Sequence, residues 1–459
     1  MAKWNRREFL ATGGAAAAWA TGCSSSSSKQ KPPNLVLILT DQQHIDTISA
    51  HGCRYAETPA LDSLARRGTS FRTSYCADPV CSPSRSTIFT GRMPSETDVA
   101  ANGRPIRREI PNLGQWFSEN SDYETVYSGK WHMPRTYQRR IAGFRVLPAG
   151  LNGRGMIGDP SVSQACDAFL RNRTGERPFL LTVSFMQPHD ICEWLRLNMD
   201  NPSALRYPEI AGELPPLPDN FDYEAIEPQL LRRLRQGNEP YRGQWSKEHW
   251  RYYLWCYYRH IELVDGEIGR VLRALEETGK LENTVVLFTS DHGEGMAHHQ
   301  MVRKGSSYDE ASRVPFLISW PGHFPANRLD ETSLVSGADI LPTLCDCAGI
   351  RPPEKMRGHS LRPLLEGRAD NAKGYVVTEI PIDAGRVVRT DRFKYVTYCG
   401  DTVDQLFDMK TDPGETKNLA RDSAYATTVA DHKRLLVEWE KRLDPAPNQP
   451  HADAWWRRA

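Results

Sequence analysis

Asn34-Leu35-Val36-Leu37-Ile38-Leu39-Thr40 is a short, continuously apolar run, and the polar Asp41-Gln42-Gln43 follows it directly. Such a run, with no polar/apolar alternation, is what a strand covered on both faces requires. Similar runs at Tyr123–Tyr127, Phe179–Phe185, Thr284–Thr289 and Val314–Ser319 predict further strands of the same kind. Helical stretches lie between them. The clearest extends from about Ser246 to Thr278, where Trp250, Leu254, Tyr257, Ile261, Val264, Ile268, Val271 and Leu275 recur every three or four residues before Gly279. Strands alternating with helices predict an α/β fold with a large mixed, mainly parallel sheet sandwiched by helices. In such sheets ligands gather where strands end, so the polar residues just after each strand are the first candidates for a site.

From about residue 371 the pattern changes. Tyr375–Ile380, Arg386–Thr390 and Lys394–Tyr398 are short β-prone segments, followed by Gln405-Leu406-Phe407-Asp408, a turn-rich stretch and an amphipathic helix over roughly 422–442. Three regions are therefore expected. Residues 1–31 form an export signal and Ser-rich tether, residues 32–370 the main α/β domain, and residues 371–459 a small C-terminal subdomain of antiparallel sheet plus helix.

The 459 residues carry 58 Lys+Arg against 57 Asp+Glu, a net charge of +1, with 39% hydrophobic and 25% charged residues. These are ordinary proportions for a globular protein. Near-neutrality argues against general nucleic-acid binding, which needs a basic excess to displace counterions. Past the first thirty residues no apolar run approaches the ~20 residues of a membrane-spanning helix. The ten cysteines are too sparse for a disulfide scaffold and include no C-x-x-C pair.

The N-terminus reads as an address rather than as part of the fold. Arg6-Arg7 followed by Phe9-Leu10, a weakly apolar stretch and small residues resemble a twin-arginine export signal. Ala20-Thr21-Gly22-Cys23 resembles a lipoprotein cleavage box, which makes Cys23 a lipidation candidate; simple cleavage after Ala20 is the alternative. The expectation is a periplasmic or membrane-anchored lipoprotein, or a secreted protein.

Cys81-Ser82-Pro83-Ser84-Arg85 opens a predicted helix, Ser86–Thr90, ended by Gly91. A cysteine beside a helix N-terminus and an arginine has its thiolate favoured by positive potential. Taken singly, this is a loop with a buried thiol, Asp41 and Asp291-His292 are turn residues, Lys130 and Lys304 are solvated lysines, and His132 and His189 are polar residues near a core. Their joint placement is what signifies. Asp41-Gln42, Lys130 with His132, His189 and Asp291-His292 each follow a predicted strand, and Lys304 comes shortly after. They would converge on one edge of the sheet.

NLVLILTDQQ, TPALDSLARRGTSF, CSPSRSTIFTGRMP, YSGKWH, TSDHGE and KGSSYDEASRVPFLISWPG occur in that order across residues 34–322, and LFDMKTDPGETKNLA lies near the end. This set resembles the formylglycine-dependent sulfatases, type I sulfatases of the alkaline phosphatase superfamily. The resemblance implies that Cys81 is oxidised by a formylglycine-generating maturation enzyme to an aldehyde that hydrates to a diol. One hydroxyl attacks sulfur, and the second, once deprotonated, expels sulfate; a plain serine would be left esterified. It further implies that Arg85 stabilises the diol, that Lys130 binds sulfate or formylglycine, and that His132 is the base. His189 or Lys304 protonates the leaving group, the lysine through a pKa depressed by neighbouring cations. Asp41, Gln42, Asp291 and His292, with the residue at 81, would hold one divalent metal, Ca2+ in the first instance and Mg2+ as the alternative. Gln42 and His292 stand where a carboxylate and an Asn are common in the family.

Asn102, Arg104, Asp190, Trp194, His299 and Arg303 flank these groups and are the candidates for lining a substrate pocket, whereas the aromatic cluster Trp250–Tyr258 reads as core. The implied function is hydrolysis of a sulfate ester, on a sulfated glycan by analogy with the family. The alternatives are phosphonate monoester or phosphodiester hydrolysis on the same scaffold, and a non-catalytic glycan-binding lipoprotein unmatured at Cys81.

Overall fold

A computed structural model describes residues 31–149, 153–197, 208–238, 245–368, 373–447 and 454. Arg6, Arg7 and Cys23, on which the export and lipidation readings rest, lie outside the described residues. Pro32–Ala459 form one compact unit. In chain order its strands are β1 (Asn34–Asp41), β2 (Thr69–Phe71), β3 (Ser74–Tyr75), β4 (Glu124–Gly129), β5 (Arg145–Val146), β6 (Phe179–Pro188), β7 (Thr284–Ser290), β8 (Phe316–Ser319), β9 (Arg328–Asp330), β10 (Val335–Ser336), β11 (Tyr375–Ile380), β12 (Gly385–Thr390), β13 (Phe393–Tyr398) and β14 (Gln405–Asp408).

Eight of them form one sheet in the order β5-β4-β6-β1-β7-β8-β2-β9. β8 alone runs against the others, pairing antiparallel with both β7 and β2. The expected mixed, mainly parallel sheet is thus present. β1 sits at its centre, with Leu35 opposite Leu180 of β6 and Val285 of β7. Its side chains alternate between the faces. Leu35, Leu37 and Leu39 pack with Phe89 on one side. Val36 and Ile38 pack on the other with Val264, Ile268, Val271 and Leu275. Those four belong to the helix Lys247–Glu277, whose N-terminus is capped by Ser246 Oγ accepting from the His249 amide at 3.2 Å.

The second sheet, β11-β12-β13-β14, is antiparallel throughout, and the helix Ala426–Glu440 contributes Leu436 and Trp439 to a core shared with Val377 and Val388. It braces the segment leading into Cys81: the Glu379 amide donates to Ala77 O at 2.7 Å and Thr378 Oγ1 to Cys76 O at 2.7 Å. All nine described cysteines are free thiols. No described helix is long and apolar enough to cross a membrane.

Candidate active site

The helix Cys81–Thr90 starts at Cys81 itself, five residues earlier than its most regular part suggests, and every residue in it is buried. Its first turn has no cap of its own, because Val80 has no polar side chain. Asn102 supplies one from another loop, its Oδ1 accepting from the Ser82 amide at 2.9 Å. The helix stops at Gly91, which has φ +67° and whose amide donates to Thr87 O at 2.8 Å. A side chain there would be strained and would meet Met356 Sδ at 2.9 Å.

Around Cys81 the strand ends close in. Its Sγ lies 2.9 Å from Lys304 Nζ, 3.2 Å from His292 Nε2 and 3.7 Å from Asp41 Oδ1. Asp41 closes β1 and Asp291-His292 follow β7; one ligand atom each from Asp41, Cys81, Asp291 and His292 lie within 4.8 Å of one another. Arg85, one turn along the helix, is fully buried. Its Nε donates to Asp291 Oδ2 at 2.8 Å, Nη2 to Asp41 Oδ2 at 3.2 Å, and Nη1 to Ser184 Oγ at 2.8 Å. Lys130, delivered after β4 by a turn at Gly129, pairs with Asp41 Oδ2. His189 Nε2, past the end of β6, is 4.0 Å from Asp41 Oδ1. Lys304 Nζ also donates to Gln42 Oε1 at 2.9 Å. His132, His189 and Lys304 are half-buried, and so form the open side of an otherwise closed cluster.

Burial would raise the Asp41 carboxyl, but Lys130, His189, Lys304 and Arg85 outweigh it and hold Asp41 well below the usual range. Asp291 goes the other way, pushed up to about 6 by burial and by the Asp41 charge. Asp41 and Asp291, bridged by Arg85, still lie close enough to Cys81 and His292 for the four to hold a cation. The Cys81 thiol is lowered, because Lys130, Lys304 and His292 overcome burial and Asp41. His189 is lowered to about 4 by burial and then by Lys304, and His132 is lowered chiefly by burial. Lys304 departs from the depressed lysine expected above: burial lowers it, but Cys81 and Asp41 more than compensate and its ammonium is held above the usual range. Gln42, His132 and Arg303 all have positive φ, at 70°, 69° and 67°, so the backbone is strained where these side chains are presented.

The flanking residues divide. Asn102 reaches the helix that begins at Cys81. Arg303 adjoins Lys304, and its amide donates to Glu294. Arg104 is exposed and meets Asp98 at 3.4 Å. Asp190 turns away to accept from the Gly155 and Met156 amides at 2.9 Å each, capping the helix Gly155–Asn172. Trp194 packs among Trp245, His249, Tyr252 and Tyr253. His299 stacks on Tyr308 with ring centroids 3.8 Å apart and meets Asn220 Nδ2 at 3.2 Å. Trp250, Tyr252, Tyr253 and Tyr257 are buried, as a core reading of that cluster requires.

Two participants escaped the sequence reading. Ser184 in β6 receives Arg85. Glu294 is fully buried and receives Gln42 Nε2, the Tyr253 hydroxyl and the Arg303 amide, fixing the side chain beside Asp41. The signal for Glu294 was its place in Ser290-Asp291-His292-Gly293-Glu294, three residues beyond a proposed ligand.

The chain is similar to known proteins. The Sulfatase family profile matches residues 33–350, and the profile for the C-terminal part of N-sulphoglucosamine sulphohydrolase matches residues 297–442. A Delta 4,5-hexuronate-2-O-sulfatase of Bacteroides thetaiotaomicron is 34% identical over 448 residues, spanning 92% of this chain and 91% of that protein. Among solved structures, a 2-O GAG sulfatase has a TM-score of 0.79 at 32% identity, covering 90% of this chain and 92% of its own. The phosphonate monoester hydrolase of Agrobacterium radiobacter has a TM-score of 0.74 at 26% identity, covering 90% of this chain and 96% of its own. The chain is a sulfuric ester hydrolase and belongs to the sulfatase family, in the type I branch of the alkaline phosphatase superfamily.

Proposed function

We propose that this sulfatase removes sulfate from a sugar of a uronate-containing glycan, with Cys81 oxidised to formylglycine as its nucleophile. The observation that carries the reading is the position of Cys81 Sγ, at a buried helix N-terminus and within 3.2 Å of both Lys304 Nζ and His292 Nε2. Oxidation by a maturation enzyme would give residue 81 a hydrate with one hydroxyl to attack sulfur and another to release sulfate. The sugar assignment is supported by the hexuronate and GAG sulfatases that the chain resembles.

The donor set fits a hard divalent cation, Ca2+ before Mg2+. Asp41 and Asp291 offer carboxylate oxygens and His292 a nitrogen within one close group around residue 81, and Gln42, whose Oε1 accepts from Lys304, is the neutral oxygen nearest to them in the chain. Such a cation supplies Lewis-acid stabilisation of negative oxygens.

The chain's own groups do the rest. Arg85 locks both carboxylates and the helix into one frame. Lys130 and Lys304 place two ammonium groups beside residue 81, where sulfate oxygens carry charge throughout transfer. His132, which interacts with the residue-81 side chain, would take the proton from the hydroxyl there. His189 Nε2 lies at the open side, and burial and Lys304 hold the ring's pKa at about 4. An incoming sulfate anion would raise its pKa, so it can carry a proton to the leaving oxygen. The N-terminal motif supports export by the twin-arginine route, with Cys23 as the point of lipid attachment.

Phosphonate monoester hydrolysis is the second reading, favoured by the fold shared with the Agrobacterium enzyme. Matured protein should be assayed in parallel on a 2-O-sulfated unsaturated uronate disaccharide, 4-nitrophenyl sulfate and a phenyl phosphonate monoester. Sulfate release from the disaccharide with the highest kcat/KM is expected. Equal or faster phosphonate turnover would overturn the assignment.

A further inference from the structure

Residues 125–158 contain no Asp or Glu but carry Lys130, Arg135, Arg139, Arg140, Arg145 and Arg154. This carboxylate-free stretch begins in β4, the strand that delivers Lys130 and His132 to the site. Beyond His132 the chain folds tightly back on itself: the His132 amide donates to Arg135 O at 2.7 Å, the Trp131 amide to Thr136 O at 2.7 Å, and Gln138 Nε2 to Met133 O at 3.0 Å. These bonds make the loop compact directly beside His132. His132 O accepts from Ser82 Oγ at 2.6 Å, immediately beside Cys81.

Arg135, Arg139 and Arg140 are exposed on this loop and meet no acidic partner among the described residues. Elsewhere arginines near the site are paired, Arg104 with Asp98 and Arg107 with Glu109. Three like charges held within six residues repel one another, and an arrangement without local compensation suits an anionic partner. Tyr137, between them, is half-buried, and its hydroxyl is shielded from solvent without a hydrogen-bond partner. Guanidinium groups bind carboxylate and sulfate through two parallel N–H bonds.

We propose that the loop His132–Arg140 is the arm that holds an anionic oligosaccharide, with Arg135, Arg139 and Arg140 binding carboxylate or sulfate groups on sugars beyond the one that loses its ester. The proposal rests on the glycan reading above and specifies a polymer or oligomer rather than a small sulfate ester as the preferred substrate. Selection is made outside the reacting pocket, by charge, and is salt-sensitive.

The test is direct binding of a heparin-derived tetrasaccharide to the full chain at two ionic strengths, alongside turnover of 4-nitrophenyl sulfate by matured enzyme. The R135A/R139A/R140A variant should bind the tetrasaccharide at least tenfold more weakly at low salt and with a flatter salt dependence. The corresponding triple lysine variant should recover part of the loss. Turnover of 4-nitrophenyl sulfate should stay within twofold of wild type. Unchanged tetrasaccharide affinity, or equal losses on both readouts, would overturn the proposal. Absence of sulfate-ester turnover in the wild type would refute the catalytic reading but leave the binding comparison intact.

Discussion

Arg85 Nε donates to Asp291 Oδ2 at 2.8 Å with both side chains fully buried, joining the helix that begins at Cys81 to the end of a strand 206 residues away. The same guanidinium reaches Asp41, so one side chain fixes both carboxylates relative to residue 81. Arg85→Ala should cost about 3–5 kcal/mol, because it strands buried charges rather than deleting a surface pair. It should also abolish turnover. Arg85→Lys keeps the charge but loses the fork, so it should recover stability more than activity. Thermal unfolding and kcat/KM measured on both variants check this.

Cation binding should stabilise the fold, since Asp41 and Asp291 come together only in the native state. At a hundredfold excess over Kd the linkage is worth about 2.7 kcal/mol. Ca2+ should raise the Tm of the wild type, and a chelator should reverse the shift. Asp291→Asn should lose the dependence. A variant that keeps the full Ca2+ shift would remove Asp291 from the ligand set.

His189→Ala should discriminate among leaving groups. If His189 protonates the departing oxygen, the loss should be about 10²–10⁴-fold on a sugar sulfate and far smaller on 4-nitrophenyl sulfate, whose leaving group needs no proton. Equal losses on the two substrates would reject that role.

His249 gives a pH dependence away from the site. Neither ring nitrogen has a hydrogen-bond partner among the described residues, the ring lies 4.7 Å from that of Trp245, and burial lowers its pKa to about 4. The unfolded chain takes up that proton near the ordinary 6.5, before the folded one does. Stability is therefore complete above pH 6.5, falls as pH drops toward 4, and levels off below that. The cost is below about 3.4 kcal/mol, because solvent screening reduces the full effect of the shift. His249→Phe should flatten this part of the Tm–pH curve, and an unchanged slope would assign the acid sensitivity to other groups.

Much of this was legible in the chain because the decisive elements speak locally. Leu35–Leu39 is uniformly apolar because both faces of β1 are covered, and the groups after β1, β4, β6 and β7 stand at strand ends where a parallel sheet gathers them. What was not legible depends on encounters between distant segments. Asp190 adjoins His189 and reads as a pocket residue, but the helix beginning at Gly155 brings it two unsatisfied amides to cap. His299 precedes Lys304 by five residues, yet Asn220 and Tyr308 draw its ring into their own cluster. Glu294 becomes a support for Gln42 only because the helix Lys247–Glu277 delivers Tyr253 onto it. β3, β9 and β10, at two or three residues each, are too short to leave a periodic trace.

The mass of the peptide that contains residue 81, taken from protein made together with a formylglycine-generating enzyme, tests the formylglycine nucleophile directly. Formylglycine lies ~18 Da below cysteine, and that lighter species is expected, with sulfatase activity rising in proportion to its fraction. Full turnover by protein whose residue 81 is entirely unmodified cysteine would contradict it.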